Sequence, residues 1–422
     1  MAELLLFVGL TLLAFGVVSR RLERSLVTPP MAFTTFGLVL GLSGRAGVSA
    51  EQEAIVHVLA ELTLVLVLFT DAARIDLSQL RREHDLPVRL LALGMPLTVL
   101  LGAGLAVLIL PELGWLEAAV LAAVLAPTDA ALGQAVVSHE KVPVRIRQAL
   151  NVESGLNDGV ALPGVLILSC AASAVHSDQT ASYWVLFTLK QVTLGPLAGL
   201  LVGFLGGKLV DGAITRGTIT HGFRDLSVIA LALLSFSLAE LVGGNGFIAA
   251  FVGGLTLGSV ARDQCRGLFE FSESEGQLLT IATFALFGAL MVPEAWEHLD
   301  GAVLAYALVS LTAARMLPVT LSLLGKKLRR STHLFLGWFG PRGLASILFA
   351  LLVVQEADLP HEALVVTAAV VTVVLSTFLH GMTAFPLSNL YGARLEKDGA
   401  EHVPVSEMPV RVPLGRAPDA ET

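Results

Sequence analysis

Two short stretches of this sequence place polar and charged side chains where nearly everything around them is apolar. The first is Asn151-Val-Glu-Ser-Gly-Leu-Asn-Asp158. On a helix, Ser154 and Asp158 stand one turn apart, as do Glu153 and Asn157, so two adjacent polar pairs line one side. Asp158 falls near the middle of a long apolar run, where a bare charge is costly. A carboxylate there can hold a proton or a small cation, and holding one excludes the other. The second stretch is Ala126-Pro-Thr-Asp129. Pro127 removes a backbone donor and disturbs the preceding turn, freeing carbonyls beside the side-chain oxygens of Thr128 and Asp129. Such interrupted helices can coordinate a cation through their carbonyls, and an all-oxygen set suits a hard one. The plainer alternatives are an interhelical polar network around Asp158 and a simple proline kink at Pro127.

Further charges lie inside apolar runs. Arg315 needs a partner, because an unpaired buried charge is strongly destabilising, and Glu153 is the best acid available. That structural ion pair would leave Asp158 as the titrating acid of its helix. Phe339-Gly-Pro-Arg-Gly343 interrupts another run. Arg342 there either counters the dipole of facing helix ends or snorkels to a lipid headgroup. Asp71 closes Leu-Phe-Thr-Asp71 and is read as guarding ion access or as an ordinary interfacial acid. Glu61 and Glu240 receive no role. His57, His84 and His139 lie near or beyond the membrane boundary, where pH tuning competes with the commoner reading as surface histidines.

These residues require elements that hold them at membrane depth, and the composition supplies them. The chain has 422 residues, 55% hydrophobic and only 15% charged, with a mean hydropathy of +0.77. A soluble domain carries about 25% charged residues, so an integral membrane protein is expected. Apolar runs occur at 3–19, 29–43, 53–72, 86–110, 114–138, 144–171, 183–208, 223–242, 245–261, 276–293, 300–324, 332–355 and 361–386. Each reads as a helix, since a span needs about 20 apolar residues and period-2 alternation is missing. Of the 27 Lys and Arg residues, 23 fall in alternate connections and the tail, which puts the N-terminus outside and the C-terminus in the cytoplasm. The first run lacks a preceding basic residue and reads as a retained helix rather than a signal peptide. Residues 1–390 form one transmembrane domain, and 391–422 a short polar tail expected to be disordered.

An odd helix number suggests two six-helix halves in inverted orientation joined by a seventh helix, although no sequence repeat is evident. That seventh helix carries Gly195, Gly199, Gly203 and Gly207 on one face, which indicates close helix packing. Cys170 and Cys265 form no metal-like or disulfide pattern. The net charge of -8 and the scattered basic clusters exclude a nucleic-acid partner. No nucleophile has an adjacent histidine and acid, which argues against an enzyme.

Taken together, Pro127-Thr-Asp129, Glu153-Ser-Gly-Leu-Asn-Asp158, Ala314-Arg315 and Gly340-Pro-Arg-Gly343 resemble the cation:proton antiporter-1 family of sodium/proton exchangers, in its thirteen-helix prokaryotic form, over about residues 1–390. The resemblance implies that Asp158 is the essential carrier, that Thr128 and Ser154 help hold the cation, that Asn157 fixes the site and marks an electroneutral branch, and that Glu153 pairs with Arg315. Asp71 stands where some relatives have a glutamate contributing to the site, one methylene longer. Pro-Thr-Asp-Ala-Ala replaces the frequent Pro-Thr-Asp-Pro. A homodimer is implied by the family alone.

The expectation is an all-α polytopic protein of the plasma membrane, with about thirteen helices in two inverted repeats with discontinuous crossing helices. It would exchange Na+ or Li+ for H+ without a cofactor, electroneutrally and by alternating access, at Asp158, Thr128, Ser154 and Asp129, with Asp71 nearby. K+/H+ exchange is the alternative within the family, and an ion-coupled symporter for an organic solute is the alternative from another class.

Overall fold

The computed structural model describes residues 26–42, 50–74, 85–176, 180–261, 280–357 and 359–397, with positions 9, 13, 15–17 and 278. Among the described residues every regular element is helical, the solution that satisfies the backbone within each segment inside a bilayer. The helices are α1 (Pro29–Leu42), α2 (Ala50–Arg74), α3 (Asp85–Ile109), α4 (Trp115–Val124), α5 (Ala130–Val137), α6 (Val144–His176), α7 (Ala181–Thr215), α8 (His221–Leu241), α9 (Gly246–Val260), α10 (280–297), α11 (Gly301–Ser322), α12 (Arg330–Trp338), α13 (Leu344–Glu356) and α14 (Glu362–Lys397). By length and composition, six of these (α3, α6, α7, α8, α11 and α14) can cross a membrane.

Twelve of the thirteen expected runs coincide with described helices. The run 3–19 lies almost wholly outside the described residues, as do Arg45, the basic connections 75–84 and 262–277, His84, Cys265, the His57 side chain and the tail from 398 onward. The last helix continues to Lys397, past the expected domain boundary at 390. Two runs are split. Residues 125–129 separate α4 from α5, and residues 339–343 separate α12 from α13. These are the Pro127 and Pro341 interruptions.

Small residues set how closely the frame packs. A Cβ at Gly199 or Gly203 would overlap the carbonyl of Ala249 or Gly253, and one at Gly195 would lie 2.7 Å from the Asn245 carbonyl. The glycine face of α7 therefore lies directly on the backbone of α9. On the other side of α9, Gly254 and Gly258 meet the Phe69 and Ala73 carbonyls of α2, so α9 is clamped between two backbones. The main apolar core lies beside this clamp, built around Val65, Phe69, Leu121, Val124, Leu162 and Phe349.

The turn into α9 is specified residue by residue. Gly243 takes φ +78, a left-handed position that favours glycine. The Gly244 N–H returns to the Ala239 carbonyl at 2.8 Å and the Gly243 N–H to Glu240 at 3.0 Å, a Schellman closure of α8. Asn245 then accepts the Ile248 N–H at 2.9 Å. Glu240, an acid inside an apolar run with no role assigned above, accepts the Gly246 N–H at 2.7 Å and so caps α9 from the preceding helix.

This packing makes a direct prediction for thermal melting of the detergent-solubilised protein. Gly199→Val should lower stability by about 1–3 kcal/mol, as overpacking does. Gly212→Ala on the same helix has nothing within 4 Å of the new Cβ and should be neutral or stabilising by up to about 1 kcal/mol.

Candidate functional site

The two helix breaks meet, and each supplies what the other lacks. Where α4 ends, proline and the broken geometry leave carbonyls without helical partners. The Arg342 guanidinium, from the second break, donates to the Ala126 carbonyl at 2.5 Å and to the Pro127 carbonyl at 3.0 Å through Nη1. In return, the Asp129 carboxylate accepts the Leu344 N–H at 2.6 Å through Oδ2, capping α13, and the Leu132 N–H at 3.2 Å through Oδ1, capping its own α5. A backbone bond from Asp129 N–H to the Pro341 carbonyl, 2.8 Å, ties the breaks a third time. Cations belong at helix C-termini and anions at N-termini, so both side chains stand where the dipoles favour them.

The expectation that the carbonyls freed by Pro127 would be open to a cation needs correction at Ala126 and Pro127, because Arg342 holds both. The snorkelling alternative for Arg342 is also overturned, since the side chain is only 1% exposed. Both glycines of Gly340-Pro-Arg-Gly343 permit a close approach of charged side chains to the backbone. A Cβ at Gly340 would fall on the Arg315 guanidinium, and one at Gly343 on the Asp129 carboxylate.

Beside the crossing, α6 presents its polar face. Thr128 Oγ1 lies 2.9 Å from Ser154 Oγ and accepts a hydrogen bond from Asn157 Nδ2 at 2.6 Å. Thus Asn157 orients the threonine of the first break, and Thr128 and Ser154 form a hydroxyl pair. One turn beyond Ser154, the Asp158 Oδ1 atom is buried and has no hydrogen-bond partner. Asp71 is half-buried near the end of α2, a helix that packs against α6. Thr128, Asp129, Glu153, Ser154, Asn157, Asp158, Arg315 and Arg342 therefore gather around the crossing and the polar face of α6, with Asp71 on the neighbouring α2.

Glu153 points to a different partner from its neighbours on α6. Its Oε1 accepts from Arg315 Nη2 at 2.5 Å, and both residues are buried, at 2% and 1% exposure. This is the pair expected from the two sequence positions, and it fixes α6 against α11.

Other contacts have no signal in the sequence. Ser376 of α14 accepts the Arg342 backbone N–H at 2.6 Å. Glu117 closes a capping box at the start of α4, taking the Gly114 N–H at 3.0 Å. It also accepts the His361 N–H at 2.9 Å and lies 3.1 Å from His361 Nδ1. On the opposite side, Lys326 pairs with Asp85 at 2.6 Å and Arg89 donates to the Leu324 carbonyl at 2.9 Å. A polar residue in an apolar run is visible in sequence, but its distant partner is visible only where, as for Arg315, few candidates exist.

The Glu153–Arg315 pair yields a double-mutant test in thermal unfolding. Glu153→Gln or Arg315→Gln alone should cost about 3–5 kcal/mol by stranding the other charge. The double variant should lose clearly less than the sum of the two, and additive losses would reject the coupling.

Comparison with known proteins agrees with this arrangement. The family profile described as "Sodium/hydrogen exchanger, transmembrane" matches residues 7–390. The chain is 27% identical over 403 residues to the K(+)/H(+) antiporter NhaP of Alkalimonas amylolytica, covering 93% of this chain and 68% of that protein. It is 26% identical to the Na(+)/H(+) antiporter NhaP of Pseudomonas aeruginosa, covering 94% of this chain and 98% of the relative. The fold is similar to that of the sodium proton antiporter MjNhaP1 from Methanocaldococcus jannaschii, with a TM-score of 0.73, 20% identity, and coverage of 92% of this chain and 99% of that one. The chain belongs to the transmembrane sodium/hydrogen exchanger family and is a multi-pass membrane cation/proton antiporter, not an enzyme.

Proposed function

We propose that Asp158 is the carrier of an electroneutral exchange of Na+ or Li+ for H+, with proton and cation competing for its carboxylate. The observation that carries this reading is the buried Asp158 oxygen without a partner, beside the Thr128–Ser154 hydroxyl pair. A carboxylate held at depth with no hydrogen bond to that oxygen is kept available for its cargo. Thr128 and Ser154 supply neutral oxygens to a cation, and Asn157 holds Thr128 in place. Asp129 contributes its negative charge while its oxygens brace the two breaks, and Asp71 adds charge from the α2 side. With Glu153 paired to Arg315, Asp158 alone on α6 changes charge, which supports one cation per proton.

Alternating access would move one helix group against another around this site. The corresponding breaks in the fifth and twelfth expected runs support an inverted repeat of six helices. The alternation of sides along the chain is supported by contacts between segments read as lying on the same side, and the N-terminus outside follows from the basic residues alone. Those read as cytoplasmic meet through Asp85 and Lys326, and those read as external meet through Glu117 and His361. A homodimer in the plasma membrane is part of this proposal. K+/H+ exchange is the second reading, favoured by the likeness to the Alkalimonas protein and to the K(+)/H(+) antiporter NhaP2 of Shewanella oneidensis, 25% identical over 96% of this chain.

The test is proton movement in sealed vesicles, read with an acid-trapped dye while Na+, Li+, K+ or choline is added. The wild type should respond to Na+ and Li+, and Asp158→Asn should abolish exchange while still inserting and folding. A K+ response would support the second reading, and retained pH-dependent exchange in Asp158→Asn would sink the carrier assignment. In proteoliposomes, an imposed voltage should leave the rate unchanged, and voltage dependence would contradict the one-for-one stoichiometry.

A further inference from the structure

The second break is held from behind by one face of α14. Residues 339–343 are outside any helix, so the Arg342 N–H has no helical acceptor, and a buried N–H without a partner is costly. Ser376 Oγ takes it at 2.6 Å, and Ser376 is fully buried. One turn along, His380 Nδ1 lies 3.1 Å from Ser376 Oγ and 3.0 Å from the Ser376 carbonyl. The Trp338 ring packs over the His380 ring, centroids 4.8 Å apart, and Trp338 Nε1 donates to Thr383 Oγ1 at 3.0 Å.

Ser376, His380 and Thr383 follow the i, i+4, i+7 spacing of a single helix face. Trp338 is the last residue of α12 and Arg342 lies within the break, so this face grips the interruption at both ends. The geometry points to Ser376 and Thr383 as positioning residues for cation exchange: through the Arg342 backbone and Trp338 they fix the register of the break. That register delivers the Arg342 guanidinium to the Ala126 and Pro127 carbonyls and sets where Thr128 meets Ser154. Neither residue touches the cargo, and the effect on binding passes through Arg342. The inference rests on Asp158 exchanging a cation for a proton beside Thr128.

Initial rates in proteoliposomes, at several cation concentrations and pH values, test it. Ser376→Ala should raise the KM for the transported cation about tenfold, the scale of one stranded buried donor, and displace the pH profile, with kcat changed less. Ser376→Thr keeps the hydroxyl and should restore both. Thr377→Ala is the control, because Thr377 is equally buried but bonds only to the Val373 carbonyl of its own helix; it should leave KM and the pH profile unchanged. If Ser376→Ala does not fold, Thr383→Val against Thr383→Ser asks the same question. An active wild type whose folded Ser376→Ala, or failing that Thr383→Val, keeps the native KM and pH profile overturns this inference alone. A wild type inactive with every cation overturns the exchange reading and this inference with it.

Discussion

The structure depends on a reciprocal exchange of charge between two broken helices. A broken helix at membrane depth exposes backbone groups that no water is there to satisfy, and a buried charge without a partner is equally untenable. Here each problem answers the other. Arg342 leaves one break to close the carbonyls of the other, and Asp129 leaves the other to close the Leu344 N–H of the first. Removing either partner would strand both a charge and a helix end, so the crossing is held as a unit. The glycines at 340 and 343 follow from it, because the chain must pass within contact of the Arg315 guanidinium and the Asp129 carboxylate.

Most of the architecture was legible in the sequence, for a physical reason. Lipid forces each spanning segment to be long, apolar and helical, and connections carry the basic residues, so runs such as 144–171 and 223–242 announce α6 and α8 directly. The breaks were legible too, from Pro127 beside Thr128 and Asp129 and from Pro341 within Gly340-Pro-Arg-Gly343; proline alone is no such signal, since Pro163, Pro196, Pro318 and Pro386 lie inside helices. The pairing of Arg315 with Glu153 was reachable by elimination, because few acids lie at that depth. The glycine spacing in α7 indicated close packing without naming α9 as its neighbour.

What stayed hidden was the assignment of partners among groups of similar type. Asp129 looked like a ligand because it stands beside Pro127 and Thr128. Its oxygens accept the Leu132 and Leu344 N–H groups, and the second of these comes from a segment more than two hundred residues away. The carbonyls freed by Pro127 looked open for the same reason, with Arg342 unseen. Ser376 and His380 give no signal in the sequence, because a serine and a histidine in a long apolar helix carry no local signature. Only the folded backbone brings them to the break, where an N–H lacks an acceptor.

A fixed crossing beside one untethered carboxylate has the properties that coupled exchange requires. In the proposed cycle, Thr128 and Ser154 are neutral and Glu153 is balanced by Arg315, so Asp158 determines the change in charge of the moving site. A proton or one monovalent cation neutralises it equally. The unloaded site keeps a net charge that is expensive to carry through the low-dielectric centre of a membrane, whereas either loaded form is cheaper to move. Coupling then needs no separate gate, because the cost of carrying the bare carboxylate suppresses the unloaded return. The braces at Arg342 and Asp129 serve this scheme by holding the two charged side chains on fixed backbone groups, so that loading Asp158 is the electrostatic change that the moving helices register.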